Sequence, residues 1–366
     1  MKKIVTILGA RPQFVKAAVL SRVILKYNEI EEVIIHTGQH YDTNMSAIFF
    51  EEMEIPTPKY NLAIQGLNHG AMTGQMLEKI EMVLLDEKPD AVVIFGDTNS
   101  TLAGALAAKK LAIKVIHIEA GLRSFNMKMP EEINRILTDR ISDLLLCPTQ
   151  TAIDNLTKEG FENLPIKIVN SGDIMKDAVH YYSQTSTEKS AIISDLKLEN
   201  NNFVLATIHR QENTDDLNKL KAIFEGLEEI SKTKQVVLPL HPRTKSILEK
   251  NHLNYNITTI APVGYFDMLE LLKNCYLVIT DSGGLQKEAY FNKKYGIIAR
   301  EETEWVELVD NGFAKIAGSN KKEIIKHFLT FSDLINKNNS DFSKNLYGNT
   351  IGETIYKEIF KIINGK

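Results

Sequence analysis

Short apolar runs alternate with stretches of helical periodicity along nearly the whole chain, and this alternation limits the fold more than any other feature. The runs are mostly apolar and do not alternate between polar and apolar positions, as expected for strands that are covered on both faces of a sheet. In the first half they lie at residues 4–8, 33–37, 91–95, 115–118, 144–147 and 166–169, with helical patterns between them. This order of elements predicts an α/β fold with a doubly wound parallel sheet.

The same pattern restarts after Gly172, which predicts a second sheet of the same kind. Its strand candidates lie at residues 203–208, 236–240, 257–260, 277–280 and 296–299. A chain of 366 residues has room for two domains of ordinary size. We therefore predict Rossmann-like domains at residues 1–170 and 171–349, and an amphipathic C-terminal helix at 350–366 that packs back on the first domain. The polar segment 183–202 is predicted to be an exposed loop.

Charge and hydropathy argue against nucleic-acid and membrane partners. The formal net charge is −4, so no basic surface is indicated. No apolar run approaches the roughly 20 residues that a membrane-spanning helix needs, and the N-terminus runs directly into a strand without a signal-peptide pattern. Cys147 and Cys275 lie in or beside apolar runs, which indicates buried thiols in a reducing compartment. The expected location is the cytoplasm.

Charged residues gather between His117 and Arg135, where a strand ends and the next helix begins. Ligands of α/β proteins bind outside the carboxyl ends of the strands, so this segment is the predicted centre of the site. Pro130 begins the helix and places Glu131 in its first turn. Glu131 and Arg135 are four residues apart and are expected to pair. The opposite face is predicted to be buried through Ile133, Leu137, Ile141 and Leu144.

Three carboxylates are candidates for acid/base chemistry. Glu119 directly follows one strand, Asp97 follows another in G-D-T-N-S, and Glu131 opens the helix. Carboxylates brought together raise at least one pKa, which keeps a carboxyl group protonated near neutrality. Asp97 could instead cap the following helix, and the segment G-D-T-N-S taken by itself slightly favours that role. Glu131 could instead make a favourable contact with the helix dipole.

Phosphate-binding patterns occur in both halves. In the first, Gly9-Ala10-Arg11-Pro12 ends a strand, although it also fits a simple turn before a helix. In the second, Ser282-Gly283-Gly284 lies between a strand and a helix, where backbone N–H groups can approach phosphate. His209 and Arg210 end another strand there. The absence of G-x-G-x-x-G disfavours a nicotinamide cofactor.

As a set, these motifs resemble the UDP-N-acetylglucosamine 2-epimerase family. The matching pieces are G-A-R-P-Q-F-V-K at 9–16, T-G-Q-H at 37–40, G-D-T at 96–98, H-I-E-A-G-L-R at 117–123, P-E-E-I-N-R at 130–135, H-R-Q-E-N at 209–213, T-D-S-G-G-L-Q-K-E at 280–288 and R-E-E-T-E-W at 300–305. Single pieces mean little, but together they span both predicted domains in order. The resemblance implies a glycosyltransferase-B-like fold with the active site in the interdomain cleft.

The resemblance also implies a reaction, the interconversion of UDP-GlcNAc and UDP-ManNAc. UDP leaves C1 and C2 loses its proton to give a 2-acetamidoglucal, and UDP adds back after protonation from the other face. The implied catalytic residues are Asp97, Glu119, Glu131 and His209. The implied substrate-binding residues are Arg11, Lys16, Gln39, His40, Arg135, Arg210, Ser282, Gly283, Gly284, Glu288 and Arg300. No cofactor and no metal are implied, and a homodimer is expected.

Two departures from the family pattern bear on the substrate. Gln13 stands where glutamate is frequent, and residues 65–74 contain no arginine where some bacterial relatives carry one for allosteric activation. The missing arginine argues against allosteric activation and makes the chain similar to relatives acting on other UDP-amino sugars, such as UDP-2,3-diacetamido-glucuronate. A hydrolysing 2-epimerase that releases free ManNAc and UDP is a further alternative. A glycosyltransferase and a nucleotide-sugar sensor are less favoured, because neither uses three carboxylates.

Overall fold

A computed structural model describes residues 1–39, 53–338 and 340–365, without the side chain of Arg11. The chain forms two compact units. The first contains Met1–Ala178 and Leu346–Lys366, and the second contains Val179–Asn345. Each unit is built around one parallel sheet with helices on its faces, so the predicted doubly wound α/β class is confirmed for both.

The sheet of the first unit has seven parallel strands in the order β3-β2-β1-β4-β5-β6-β7. The strands are β1 (Lys2–Leu8), β2 (Ile30–His36), β3 (Tyr60–Asn61), β4 (Ala91–Phe95), β5 (Lys114–Ile118), β6 (Leu144–Cys147) and β7 (Lys167–Asn170). The helices between them are α1 (Arg11–Tyr27), α2 (His69–Glu87), α3 (Asn99–Lys110), α4 (Pro130–Ile141) and α5 (Gln150–Lys158). The strand order reverses between β1 and β4, which is where open α/β sheets bind ligands.

The sheet of the second unit has six parallel strands in the order β10-β9-β8-β11-β12-β13. They are β8 (Phe203–Thr207), β9 (Gln235–Pro239), β10 (Thr258–Ile260), β11 (Val278–Thr280), β12 (Gly296–Ile298) and β13 (Ala314–Ile316). The reversal lies between β8 and β11. Around the sheet lie α8 (Gln211–Thr214), α9 (Leu217–Ser231), α10 (Pro242–Lys250), α11 (Tyr265–Asn274), α12 (Gly283–Phe291), α13 (Val306–Asp310) and α14 (Lys321–Asn336). The sequence patterns did not predict α8, α10, α13, α14 or β13.

The predicted loop at residues 183–202 is wrong, because most of that segment is helical. Helix α6 (Ile174–Lys189) runs through its first part and the short α7 (Ile192–Asp195) follows. Polar groups of α6 have partners on α11. The hydroxyl of Ser186 donates to Glu270 Oε1 at 2.6 Å, and the backbone carbonyl of Ser183 accepts from Lys273 Nζ at 2.8 Å. Paired polar groups therefore stabilise a helix that composition alone assigns to a loop.

The C-terminal helix, α15 (Ile351–Ile363), buries Ile351, Ile355, Ile359 and Ile363. It belongs to the first unit and packs against α1. The packing is close at Gly352, because a Cβ atom there would lie 2.9 Å from Cγ1 of Val19. The backbone N–H of Gly352 also donates to Asp177 Oδ2 at 2.8 Å.

Cys147 and Cys275 are free and buried, as predicted. Burial raises the pKa of both thiols, so neither is an activated nucleophile. Among the described residues, no helix is long and apolar enough to cross a membrane.

Candidate active site

The loops at the strand reversal of the first unit are held together by the side chain of Gln13, which lies on α1 and is buried. Its Oε1 accepts hydrogen bonds from the backbone N–H groups of Gly9 and Ala10, at 2.8 and 3.0 Å. Its Nε2 donates to the carbonyl of Phe95 at 2.7 Å and to the hydroxyl of Thr98 at 3.1 Å. One amide thus connects the end of β1 to the end of β4, and a carboxylate could not make the second pair of contacts.

The turn after β4 carries Asp97, and side chains hold the three successive carbonyl groups of its backbone. The carbonyl of Phe95 accepts from Gln13, that of Gly96 lies 2.7 Å from Nε2 of His117, and that of Asp97 accepts from Asn134 Nδ2 at 2.9 Å. Gly96 has φ +62, a conformation that favours glycine. The position of Asp97 is therefore fixed by buried neighbours and does not depend on loop packing alone.

Glu119 forms an ion pair with Lys16, which reaches it from α1. Both side chains are nearly buried, with 7% of Lys16 and 11% of Glu119 exposed. Glu119 also has φ +72, a conformation that is costly for a residue with a side chain. A Cβ atom on Gly96 would lie 3.2 Å from Glu119 Oε2, so the carboxylate sits against the turn that carries Asp97.

Asp97 pairs with Arg135, whose NH2 lies 2.6 Å from Asp97 Oδ2. The NH1 of the same guanidinium group lies 2.9 Å from Oε2 of Glu132. Burial by itself raises the pKa of Glu132, but the backbone N–H groups of Ser124 and Phe125 and the charge of Arg135 outweigh it, so this pKa is lower than usual. Asp97 and Glu119 each have a cation of their own, and they do not form a cluster of bare negative charges.

The predicted pair between Glu131 and Arg135 does not form among the described side chains, where Arg135 contacts Asp97 and Glu132 instead. The predicted buried face of α4 is also wrong, because Ile133 is 40% and Leu137 is 46% exposed. The buried face is polar and is formed by Glu132, Asn134, Arg135, Thr138 and Asp139. Polar partners on neighbouring strand ends compensate for its burial, so hydrophobic periodicity predicts the wrong orientation.

A second buried network begins at His117 on β5, whose Nδ1 lies 2.7 Å from Oδ1 of Asp139. Oδ2 of Asp139 accepts from NH1 of Arg123 at 2.7 Å and from the backbone N–H of Gly121 at 3.1 Å. Arg123 also pairs with Glu159 at 2.7 Å. Burial by itself raises the pKa of Asp139, but the hydrogen bonds from His117 and Arg123, together with the charge of Arg123, lower it overall. His117 and Arg123 stood out in the sequence only as charges, and Asp139 had no visible signal at all.

Four predicted binding residues of the first unit, Gln39, His40, Arg11 and Lys16, have no described contact that indicates a ligand. Gln39 accepts at its Oε1 from the backbone N–H and the hydroxyl of Ser100, at 3.1 and 2.8 Å, so it contacts the start of α3. His40 and the side chain of Arg11 lie outside the described part of the chain. Lys16 was predicted to bind substrate, and the structure places it on Glu119.

In the second unit, the buried carboxylate of Asp281 organises the loop that carries His209 and Arg210. It accepts from the backbone N–H of His209 at 3.0 Å, from that of Arg210 at 2.9 Å and from Asn213 Nδ2 at 3.0 Å. Asn213 also donates to the carbonyl of Ala299 at 2.9 Å. Asp281 directly follows β11, and the loop with His209 and Arg210 follows β8. These contacts therefore connect the two strands between which the strand order reverses. The sequence motifs contained Asp281 and Asn213 without assigning them a role.

His209 lies 3.5 Å from Asp281 through its Nδ1, and its ring centroid lies 5.7 Å from that of His241. Burial lowers the pKa of His209, and the neighbouring Arg210 and His241 lower it further, against the opposing effect of Asp281. At neutral pH the ring is therefore mostly neutral, and an arriving anion would favour its protonation.

Helix α12 begins at Gly283, directly after Ser282. A Cβ atom on Gly283 would lie 2.3 Å from Oε1 of Glu304, so a larger residue would displace that carboxylate. Arg300 is buried and donates from NH1 to Glu304 Oε2 at 3.0 Å, while its Nε and NH2 have no hydrogen-bond partner among the described residues. Unsatisfied guanidinium nitrogens favour an anionic ligand beside this helix start. Gly284 is exposed and Glu288 half-buried on the same helix.

A comparison with known protein families identifies the family of this chain. The model of the family described as UDP-N-acetylglucosamine 2-epimerase matches residues 23–361. The chain belongs to the UDP-N-acetylglucosamine 2-epimerase family. Membership confirms the resemblance seen in the sequence and establishes a family of UDP-sugar 2-epimerases.

Relatives within this family carry different substrate names. A UDP-2,3-diacetamido-2,3-dideoxy-D-glucuronate 2-epimerase of Pseudomonas aeruginosa is 54% identical over 325 residues, which cover 88% of this chain and 90% of that protein. A UDP-N-acetylglucosamine 2-epimerase of Methanocaldococcus jannaschii is 46% identical over 335 residues, which cover 88% and 90%.

Solved structures of the family share the fold over the full length. The M. jannaschii UDP-GlcNAc 2-epimerase in complex with UDP-GlcNAc and UDP superposes with a TM-score of 0.88 at 43% identity, covering 100% of both chains. The Neisseria meningitidis enzyme bound to UDP-GlcNAc gives a TM-score of 0.85 at 31% identity, again covering 100% of both chains. The expected glycosyltransferase-B-like class is confirmed by these neighbours.

Proposed function

We propose that this chain interconverts UDP-GlcNAc and UDP-ManNAc by inverting C2 through elimination and re-addition of UDP. The observation that carries the proposal is the pairing of two carboxylates with two cations at one strand reversal, Glu119 with Lys16 and Asp97 with Arg135. Inversion requires one group to take the proton from C2 and another to deliver a proton to its opposite face. Two separately held carboxylates, with Glu131 as a third candidate, support that requirement.

The steps balance without a cofactor. The bond between C1 and the UDP oxygen breaks, UDP departs with the electron pair, and the C2 proton passes to a carboxylate, which leaves a C1–C2 double bond. Reversal then protonates C2 on the opposite face and rejoins UDP to C1.

We assign UDP binding to the second unit. The start of α12 at Ser282 and Gly283 offers backbone N–H groups to a phosphate. Two guanidinium nitrogens of Arg300 have no hydrogen-bond partner among the described residues and could donate to the same phosphate. His209 is placed to gain a proton as negative charge develops on the leaving diphosphate. In this proposal Glu288 receives the ribose hydroxyls, and Arg210 adds positive charge.

A second substrate, UDP-2,3-diacetamido-2,3-dideoxy-D-glucuronate, is favoured by one comparison and one sequence feature. A relative named for that substrate is 54% identical to this chain. The chain also lacks an arginine in residues 65–74. The chemistry at C1 and C2 is the same for both sugars, so the choice concerns only the groups at C3 and C6.

The deciding experiment is proton NMR of the purified protein with each UDP-sugar in heavy water. Conversion of UDP-GlcNAc to UDP-ManNAc with deuterium at C2, and with the nucleotide still attached, supports the first proposal. Conversion of the diacetamido-glucuronate alone moves the assignment to the second substrate. Release of free ManNAc with UDP identifies a hydrolysing enzyme, and binding of both sugars without exchange at C2 overturns the epimerase proposal.

A further inference from the structure

The imidazole ring of His117 is fully buried between two groups that accept hydrogen bonds. Nδ1 lies 2.7 Å from a carboxylate oxygen of Asp139, and Nε2 lies 2.7 Å from the carbonyl oxygen of Gly96. A neutral imidazole carries one N–H group and can donate to only one of them. The other nitrogen would then lie at hydrogen-bonding distance from an acceptor oxygen with no proton between them. The lone pair of the nitrogen and that of the oxygen would both be left without a donor.

Asp139 cannot resolve this conflict by carrying the proton itself. Its second oxygen already accepts from Gly121 and from the guanidinium group of Arg123, which favours the ionised carboxylate. Arg123 is shared in turn with Glu159. With a neutral His117 this network would hold two negative charges and one positive charge, whereas a protonated His117 makes the charges equal.

We infer that His117 is a positioning residue that acts as a buried imidazolium, anchored on Asp139 and holding the carbonyl of Gly96 with its second N–H. Gly96 directly precedes Asp97, and its own N–H donates to the carbonyl of Ile118 at 3.0 Å. Both contacts come from β5, one from the side chain of His117 and one from the backbone carbonyl of Ile118, directly before Glu119. The kinetic consequence rests on the proposed function, but the protonation state does not.

Charged groups surround the ring on several elements. Asp139 approaches from α4 and Arg123 from the segment after β5, and the ion pair of Glu119 with Lys16 lies beside Gly96. Cys147 on β6 remains an uncharged thiol, because burial raises its pKa. Among these groups, the carboxylate of Asp139 is in direct contact with the ring, at 2.7 Å.

The protonation state is tested by nitrogen NMR of protein labelled with ¹⁵N-histidine, with His117→Gln as the assignment control. We expect both ring nitrogens of His117 to show the chemical shift of a protonated nitrogen at neutral and mildly alkaline pH. An unprotonated shift at either nitrogen in that range overturns the inference. This result does not depend on the substrate, so it stays decisive even if neither UDP-sugar is converted.

The positioning role is tested by two variants that each retain one of the two donors. In His117→Asn the amide replaces Nδ1 and leaves the Gly96 carbonyl without its donor, while in His117→Gln the longer amide reaches toward the position of Nε2. We expect kcat of His117→Asn to fall roughly 10- to 100-fold with KM and UDP affinity nearly unchanged, and His117→Gln to recover most of that loss. Equal losses in the two variants, or an unchanged kcat in His117→Asn, would show that the contact with Gly96 does not position the turn.

Discussion

The guanidinium group of Arg135 lies 2.6 Å from the carboxylate of Asp97. The same group contacts Glu132, which accepts the backbone N–H groups of Ser124 and Phe125. One side chain on α4 therefore links a candidate acid/base group to the segment that leads into the helix. Because Arg135 binds two carboxylates through two different nitrogens, a point charge of the same sign is not an equivalent replacement.

Replacement of Arg135 by lysine is expected to lower kcat by about tenfold or more, because the single ammonium group cannot hold both carboxylates in place. Stability should fall by about 1–3 kcal/mol, since the buried Glu132 loses a charged partner. Steady-state kinetics and thermal unfolding measure the two effects. Arg140→Lys, at an exposed position of the same helix, is the matched control and should change neither. An active Arg135→Lys enzyme would remove Arg135 from the mechanism.

Glu119→Gln tests the acid/base assignment. The substitution keeps the size of the side chain but removes its ability to exchange a proton, so we expect loss of C2 exchange by about 100-fold or more. UDP affinity, which we assign to the second unit, should change little by calorimetry. Glu78→Gln on α2, where the carboxylate is exposed, is the control for loss of one negative charge. Near-normal exchange in Glu119→Gln and in Asp97→Asn would exclude the proposed mechanism.

The positions of the candidate site residues follow from simple sequence rules, because strand ends are visible as the ends of apolar runs. Gly9, Asp97, Glu119 and His209 each follow such a run, and the structure places them after β1, β4, β5 and β8. Parallel strands bring their carboxyl ends to one edge, so proximity within each unit could be predicted. Strand order could not, since it depends on long-range pairing that leaves no local pattern.

The partners of these residues were much less predictable. On α4, apolar side chains at helical spacing indicated a buried face through Ile133 and Leu137, but both are exposed and the polar face is buried. Periodicity assumes that burial is apolar, and this assumption fails where a helix supplies hydrogen bonds to a site. Asp139 and Gln13 connect separate elements through contacts with residues that are 16 to 88 positions away, in addition to the local contacts of Gln13, and no local window includes such distant partners.

Gln13→Glu tests the amide that joins β1 to β4. The carboxylate keeps the contacts with Gly9 and Ala10 but places a negative oxygen where the amide now lies 2.7 Å from the carbonyl of Phe95. We expect the free energy of unfolding to fall by about 1–3 kcal/mol at neutral pH. Protonation of the introduced carboxyl group restores a donor, so its pKa should be raised in the folded state, and stability should return as the pH falls. Equal stability at mildly alkaline pH would contradict this account, and Gln75→Glu, exposed on α2, controls for the added charge.

Glu87, at the end of α2, should make a measurable contribution to stability that depends on pH. Its nearly buried carboxylate accepts from Lys59, Tyr60 and Lys3, at 2.5, 2.7 and 2.9 Å. These contacts, with Lys59 the largest, lower the pKa of Glu87 to about 2 from its usual 4.5. A pKa that is lower in the folded state stabilises the protein above the unfolded value, and the stabilisation is lost as the pH falls through the folded value.

We therefore expect Glu87→Gln to be less stable than the unsubstituted chain at neutral pH, with the difference shrinking between about pH 4.5 and pH 2. Urea unfolding at neutral pH and at about pH 3 measures it. Glu78→Gln on the same helix is exposed, so its difference from the unsubstituted chain should stay small at both pH values. If the deficit of Glu87→Gln is the same at both, the ion pairs with Lys59 and Lys3 do not hold this carboxylate in its charged form, and the junction of α2 with β1 is stabilised by packing alone.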